Sequence, residues 1–337
     1  MAFASRDRRR ALCCAAAIAG VAAAAPGARA EPPRQSRDDA WWTGPLLAPG
    51  AGTLPHGHFL IEPYVFDAIA HDRFDGRGDR QPVPRAQSLG SQTYLLYGVT
   101  DAVTMGVLPR LGFNRPATGR SSSRVGLGDV GLLAQVGLTR FEEGRWIPST
   151  SLVVNETFPT GVYDRLGDRP ANGFGAGAYT TSVSLYSQYL FWLPTGRILR
   201  TRLDLTYAIS SSPSVHGTSV YGTPEGFAGH AHPGNSFVAI AAAEYSVTRH
   251  WVLALDVAYQ HDATTRVDGV TAQRAGDVLS TTPIALDAGA SQTLSLAPAL
   301  EYNVTSRIGV IAGAKLVVAG RNAAAAIIPV AAINLVI

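Results

Sequence analysis

The sequence predicts an all-β protein, a transmembrane antiparallel β-barrel of roughly 10 to 14 strands, about 12 on the best count, with short periplasmic turns and longer extracellular loops. Three observations point there. The chain opens with an export leader, its body alternates polar and apolar residues over strand-length stretches, and its turns alternate between short and long.

The leader comes first. Arg6, Arg8, Arg9 and Arg10 precede an apolar, alanine-rich run from Ala11 to Ala25, closed by Ala28-Arg29-Ala30. That is the pattern of a secretory signal peptide at 1–30, with cleavage before Glu31. Cys13 and Cys14 lie inside the run rather than at the cleavage point, which argues against a lipoprotein and leaves a mature chain without cysteine, as suits an exported protein. Cleavage removes five arginines and one aspartate, so the formal +3 of the whole chain becomes 23 basic against 24 acidic residues. A near-neutral chain has no electrostatic footprint for nucleic acid and no polybasic segment for anionic lipid. No second apolar run is long enough for a membrane helix, and Pro329 interrupts the stretch 323–333.

Residues 31–56, with Trp41, Trp42 and several Pro and Gly, are not strand-like and form a periplasmic or plug-like segment ahead of a barrel at 57–337. Strands are expected at about 57–69, 88–99, 102–113, 125–140, 147–158, 177–192, 198–210, 235–247, 251–262, 290–304, 307–319 and 325–337. In 125–140, Val130, Leu132, Ala134, Val136 and Leu138 oppose Asp129, Gln135, Gly137 and Thr139. In 198–210, Thr201, Leu203, Leu205, Tyr207 and Ile209 oppose Arg200, Arg202, Asp204 and Thr206. In 251–262, Trp251, Leu253, Leu255, Val257 and Tyr259 oppose a set containing Asp256 and Gln260, and in 290–304 Leu294, Leu296, Leu300 and Tyr302 oppose Ser295, Glu301 and Asn303. Alternate residues of a strand face opposite sides of its sheet, so each strand has one wet and one greasy face.

A soluble sandwich alternates too, so strand length and turn asymmetry decide. Strands of about nine to thirteen residues suit a tilted bilayer crossing. Short turns fall near Thr100-Asp101, Glu142–Arg145, Pro194–Arg197, Thr248–His250 and Thr305-Ser306, and longer Gly/Pro/Asp-rich loops at 70–87, 114–123, 159–173, 211–234 and 263–289. Three short turns share the phrase Tyr-x-Val-Thr, at Tyr97, Tyr245 and Tyr302. With Trp251 these tyrosines fit one interfacial aromatic girdle, although the phrase is also ordinary strand-end chemistry of a hairpin.

Gly126-x-Gly128-x-x-Gly131 has the spacing of a dinucleotide-binding turn, but it lacks a buried strand before it, a helix after it, and a ribose-binding acid about 20 residues on. On a barrel, Asp129 faces the lumen near an outer loop, and Gly126 and Gly128 let the backbone bend there. No nucleotide or other cofactor is implied. His56/His58, at the start of the first strand, and His230/His232, at a loop tip, have a spacing that could hold a divalent metal. Neither pair has a third ligand nearby in sequence, so no metal site is assigned. No G-x-S-x-G appears and nothing fixes a Ser-His-acid set.

The lumen-facing polar residues are the candidates for a solute path: Glu62, Arg110, Asp129, Arg200, Arg202, Asp204, Glu244, Asp256, Glu301 and Lys315. Their mixed signs suit a weakly selective path, or equally charges paired across a plugged lumen.

The stretches "WWTGPLLAPGAGTLPHGHFLIEPYVF" (41–66), "YGVTD" (97–101), "GLGDVGL" (126–132) and "FPTGVYDRL" (158–166) together resemble the outer-membrane transporter family named for the meta-pathway of phenol degradation. The resemblance covers nearly all of the mature chain and implies a β-barrel with a part in the passage of small, often aromatic, compounds. The partners that follow are outer-membrane lipid, the barrel assembly machinery and a small-molecule solute. One departure is the final Ile337, where such barrels usually end in an aromatic residue. The alternatives to a passive channel are an envelope barrel with a closed lumen and a membrane-embedded hydrolase.

Overall fold

The computed structural model describes residues 32–275 and 278–337; the leader at 1–30 and its cleavage point lie outside the described residues. In chain order the strands are β1 (Phe59–Phe74), β2 (Arg80–Thr100), β3 (Val103–Leu108), β4 (Arg110–Arg115), β5 (Gly126–Leu127), β6 (Val130–Thr139), β7 (Ser149–Phe158), β8 (Thr180–Trp192), β9 (Ile198–Ser210), β10 (Ser214–His216), β11 (Phe227–His232), β12 (Ser236–Ser246), β13 (Trp251–Asp262), β14 (Arg266–Ala275), β15 (Val278–Asp287), β16 (Ser291–Asn303), β17 (Ile308–Arg321) and β18 (Ala323–Val336).

β1 pairs antiparallel with β2 on one side and with β18 on the other, and this closes a 12-stranded barrel. Two wall strands are each built in two pieces. Pro109 separates β3 from β4, because proline has no N–H to give the ladder, and Gly128-Asp129 separates β5 from β6. The expected continuous strands at 102–113 and 125–140 are therefore broken at these points.

The greasy faces point outward. On β13, Leu253 is 52% exposed, whereas the inward Val252 and Asp256 are 0% exposed. Exposed leucines and valines over most of the outer wall, with charges buried inside, invert the order of a water-soluble sandwich and fit a wall bathed in lipid. Aromatic pairs sit outward at the short-turn end, Phe59 with Tyr97 (4.5 Å between centroids) and Trp251 with Tyr302 (4.6 Å). Tyr207 and Tyr259 face outward nearer the other end. Trp251 and Tyr259 on one strand are about 27 Å apart along it, which tilt reduces to the height of an apolar band of about 25 Å or less.

Three of the stretches expected as loops are structured. In 70–87, β1 and β2 continue as a hairpin to a turn at 75–79. The stretches 211–234 and 263–289 supply β10, β11, β14 and β15, which form a separate four-stranded sheet in the order β10-β11-β14-β15. His230 and His232 thus lie on a strand and not at a loop tip, and His56 lies in a turn ahead of β1. The cause is long-range pairing. β11 and β14 come from different loops, and Gly229 faces Gly269 so closely that a side chain on either would strike the opposite backbone. Val215, Phe227, Ala231 and Val267 form this sheet's own apolar core.

Residues 32–56 run inside the barrel. Gln35 N–H donates to the Gly196 carbonyl (2.8 Å) at a short turn, Leu46 packs in a core cluster with Ala297, Ile311 and Ala332, and His56 N–H reaches Asp101 (2.9 Å) at another short turn. The segment enters and leaves at the same end. Prolines at 45 and 49 keep it from joining the wall as a strand.

Candidate functional site

One wall of the lumen, made by β9, β12, β13 and β16, carries the charges. Arg200 and Arg202 on β9 both pair with Glu244 on β12, all three being buried. Arg200 also lies 4.4 Å from the centre of the Trp42 ring. Glu301 on β16 accepts the N–H groups of Thr43 (2.8 Å) and Gly44 (3.1 Å). Gly44 sits at φ +119°, a conformation open to glycine, which turns its N–H to that carboxylate. Asp256 on β13 accepts from Leu46 (3.0 Å), Leu47 (3.3 Å) and Ala48 (3.1 Å), while Arg202 donates to the Ala48 carbonyl (2.6 Å). A segment without ladder partners must satisfy its backbone somewhere, and here the wall carboxylates do so.

Of the ten sequence candidates, five thus act together on the inner segment: Arg200, Arg202, Glu244, Asp256 and Glu301. Asp204 is buried two residues along β9 from Arg202, opposite Tyr186. Asp129 is engaged elsewhere. It accepts the N–H groups of Gly161 (2.9 Å) and Ala176 (2.7 Å) and so ties the outer loop 159–179 to the wall. Phe174 of that loop lies against Gly112 and Gly126, where any side chain would collide with its ring, and this explains the first glycine of the G-x-G-x-x-G phrase; at Gly131 a side chain would instead meet Asn155. Beside them, burial pushes the Tyr221 hydroxyl up to about 12, with Asp129 and Tyr163 adding to the effect. Arg110 stands opposite Gln92, on the inner face.

Glu62 and Lys315 line the opposite side. Between residues 43–54 and the wall of β1, β2, β17 and β18 lies a cavity of about 490 Å³. Tyr64, Phe66, Tyr94, Leu96, Tyr186 and Val330 give it an apolar surface, and Glu62, Gln92, Gln135, Arg202, Lys315 and Asn334 place polar groups in it. Glu62 accepts from Asn334 (3.1 Å). Reading the polar face alone misses the aromatic residues here. The signal was present in parity, since Tyr64 and Phe66 share a strand face with Glu62 and therefore point inward.

Of the four candidate histidines, His56, His58 and His232 make local bonds. The His56 ring meets the Val99 carbonyl (2.8 Å), and the His232 ring bridges Ser212 (2.8 Å) and Asp268 (2.9 Å) on the outer sheet. Among the described residues no group of three or more His, Cys, Asp or Glu is arranged to hold a metal.

No curated protein sequence matches the chain. The fold matches the crystal structure of the COG4313 outer membrane channel from Pseudomonas putida F1 over 87% of this chain and 100% of that one, at a TM-score of 0.63 and 17% identity. Fainter likeness, at TM-scores of 0.34 and 11% identity, extends to the Pseudomonas putida toluene transporter TodX (84% of this chain, 89% of that one) and the Ralstonia pickettii toluene transporter TbuX (88% and 95%). The family described as "Putative MetA-pathway of phenol degradation" matches residues 79–326, the greater part of the chain, and the chain belongs to that family.

Proposed function

We propose that this outer-membrane β-barrel is a passive channel for small apolar or aromatic molecules, exported by the leader at 1–30 and fitted with an internal plug formed by residues 31–56. The observation that carries this reading is the cavity of about 490 Å³, walled by tyrosines and aliphatic side chains, left between the plug and the wall of β1, β2, β17 and β18. Its volume falls in the range of small-molecule sites, about 300–1,000 Å³. Eight of the ten sequence candidates divide the work. Arg200, Arg202, Glu244, Asp256 and Glu301 hold the plug, and Glu62, Lys315 and Arg110 face the path. No cofactor and no catalysis is needed.

Conductance of the mature protein in planar bilayers, with and without residues 31–55, tests the reading. Small or intermittent steps from the mature chain and large steady ones from the truncated chain are the expected result. Equal conductance from both removes the plug. Silence from both, in a barrel that migrates as folded before heating, favours the second reading, a closed envelope barrel, for which the packing of Leu46 and Ala51 into the lumen is the supporting observation.

A further inference from the structure

Three charged side chains line the cavity: Glu62, Arg202 and Lys315. Two have partners, Glu62 with Asn334 and Arg202 with Glu244 and the Ala48 carbonyl. Lys315 has none. Among the described residues no hydrogen-bond partner lies within reach of its ammonium group and no carboxylate within 4 Å. The acid whose charge acts on it, Asp262, is already held by Ser236 (2.6 Å), Gln260 (2.9 Å) and Ser291 (3.3 Å). Glu62 cannot serve. Lys315 stands opposite Ile328 on β18, while Glu62 is bonded to Asn334, about 20 Å further along that strand.

An ammonium group held in a mostly apolar cavity without a carboxylate in contact is costly, and the cost is relieved by an anion that binds it directly. Beside Lys315 the surface is apolar. Ile328 and Val330 follow on β18, Phe66 pairs with Val330 across the barrel seam, and Tyr64 and Tyr94 meet edge to face (5.9 Å) beyond.

We propose that this cavity binds small amphiphilic monocarboxylates, aryl or short alkyl, with the carboxylate on Lys315 and the apolar body over Phe66, Val330 and Tyr64. This rests on the channel reading and deepens it, because that reading requires only an apolar solute.

Equilibrium binding of benzoate and of the neutral, similarly sized benzyl alcohol to the mature barrel in detergent micelles at pH 7 tests the proposal, alongside Lys315→Gln and Lys315→Arg. In the wild type, benzoate binds about tenfold more tightly than benzyl alcohol, the worth of one charge-assisted hydrogen bond. Lys315→Gln abolishes that preference by weakening benzoate, and Lys315→Arg keeps it. Benzyl alcohol binding as well as benzoate in the wild type overturns the carboxylate proposal and leaves the channel reading standing; this arm needs no variant. Binding of neither compound overturns both the proposal and the cavity's role as a solute station.

Discussion

The two halves of the inner segment are held by different chemistry. Residues 43–48 give their N–H groups to two buried carboxylates, Glu301 and Asp256, and a carbonyl to the Arg202 guanidinium. Residues 50–54 are held by neutral groups. Gln135 donates to the carbonyls of Gly50 (3.0 Å) and Gly52 (3.4 Å), and Thr104 accepts from Leu54 (2.8 Å). The first half has more bonds to the wall, one of them from the charged Arg202 guanidinium, and charge-assisted bonds are roughly twice as strong as neutral ones; the second half also carries two glycines. The difference teaches where a lumen of this kind can open. The first half is pinned to the wall by more bonds, and the second half is the one expected to lift first.

The largest expected effect comes from unpinning. Asp256→Ala with Glu301→Ala leaves five backbone N–H groups in the lumen without their acceptors, at about 1–3 kcal/mol for each group that water does not reach. The segment is expected to leave the lumen, and bilayer conductance to rise to that of the chain lacking 31–55. A conductance like the wild type's means that packing, not charge, holds the first half.

A smaller effect is expected at the second half. Gln135→Ala costs about 1 kcal/mol, so opening events in single-channel traces become about fivefold more frequent while the size of the open step stays the same. If Gln135→Ala instead matches the double variant, the two halves move as one and the contrast between them fails.

The smallest effect sharpens the contrast by taking the same device out of the lumen. At the outer turn 75–79, the Asp75 carboxylate accepts the N–H groups of Arg77 (2.8 Å) and Asp79 (2.9 Å). These bonds hold its carboxyl below the ordinary value of 3.8. A depressed carboxyl contributes stability above its unfolded value and loses it as pH falls through the folded one. The amide resonances of Arg77 and Asp79 should therefore hold steady from neutral pH to about 5 and shift only below about 4, with no change in global unfolding. Asp75→Asn should remove that shift. Movement at higher pH would mean that other acids set the turn.

Much of this was legible in the sequence. Period two fixes which side of a wall each residue faces, because successive side chains of a strand alternate whatever the strand pairs with. The runs around Leu203, Leu253 and Leu300 therefore announced a barrel wall, and the spacing of turns announced its closure into about a dozen strands. Parity also held the aromatic lining, since Tyr64 and Phe66 travel with Glu62.

What depended on distant pairs was not legible. That Asp256 serves the backbone of Leu46, 210 residues earlier, has no local signature, because one carboxylate on a strand looks like another until its acceptor geometry meets a donor. The outer sheet joins two loops through β11 and β14, and the alternation there is short and rich in glycine, so composition alone read it as loop. The sequence by itself determined the wall, its inside and its outside, since these follow from local geometry and from the cost of leaving backbone unpaired in lipid. Only the tertiary structure decided what fills the lumen, which charges are spent on the chain itself, and that Lys315 is left facing the cavity unpaired, because those are contacts between residues that the chain brings together only on folding.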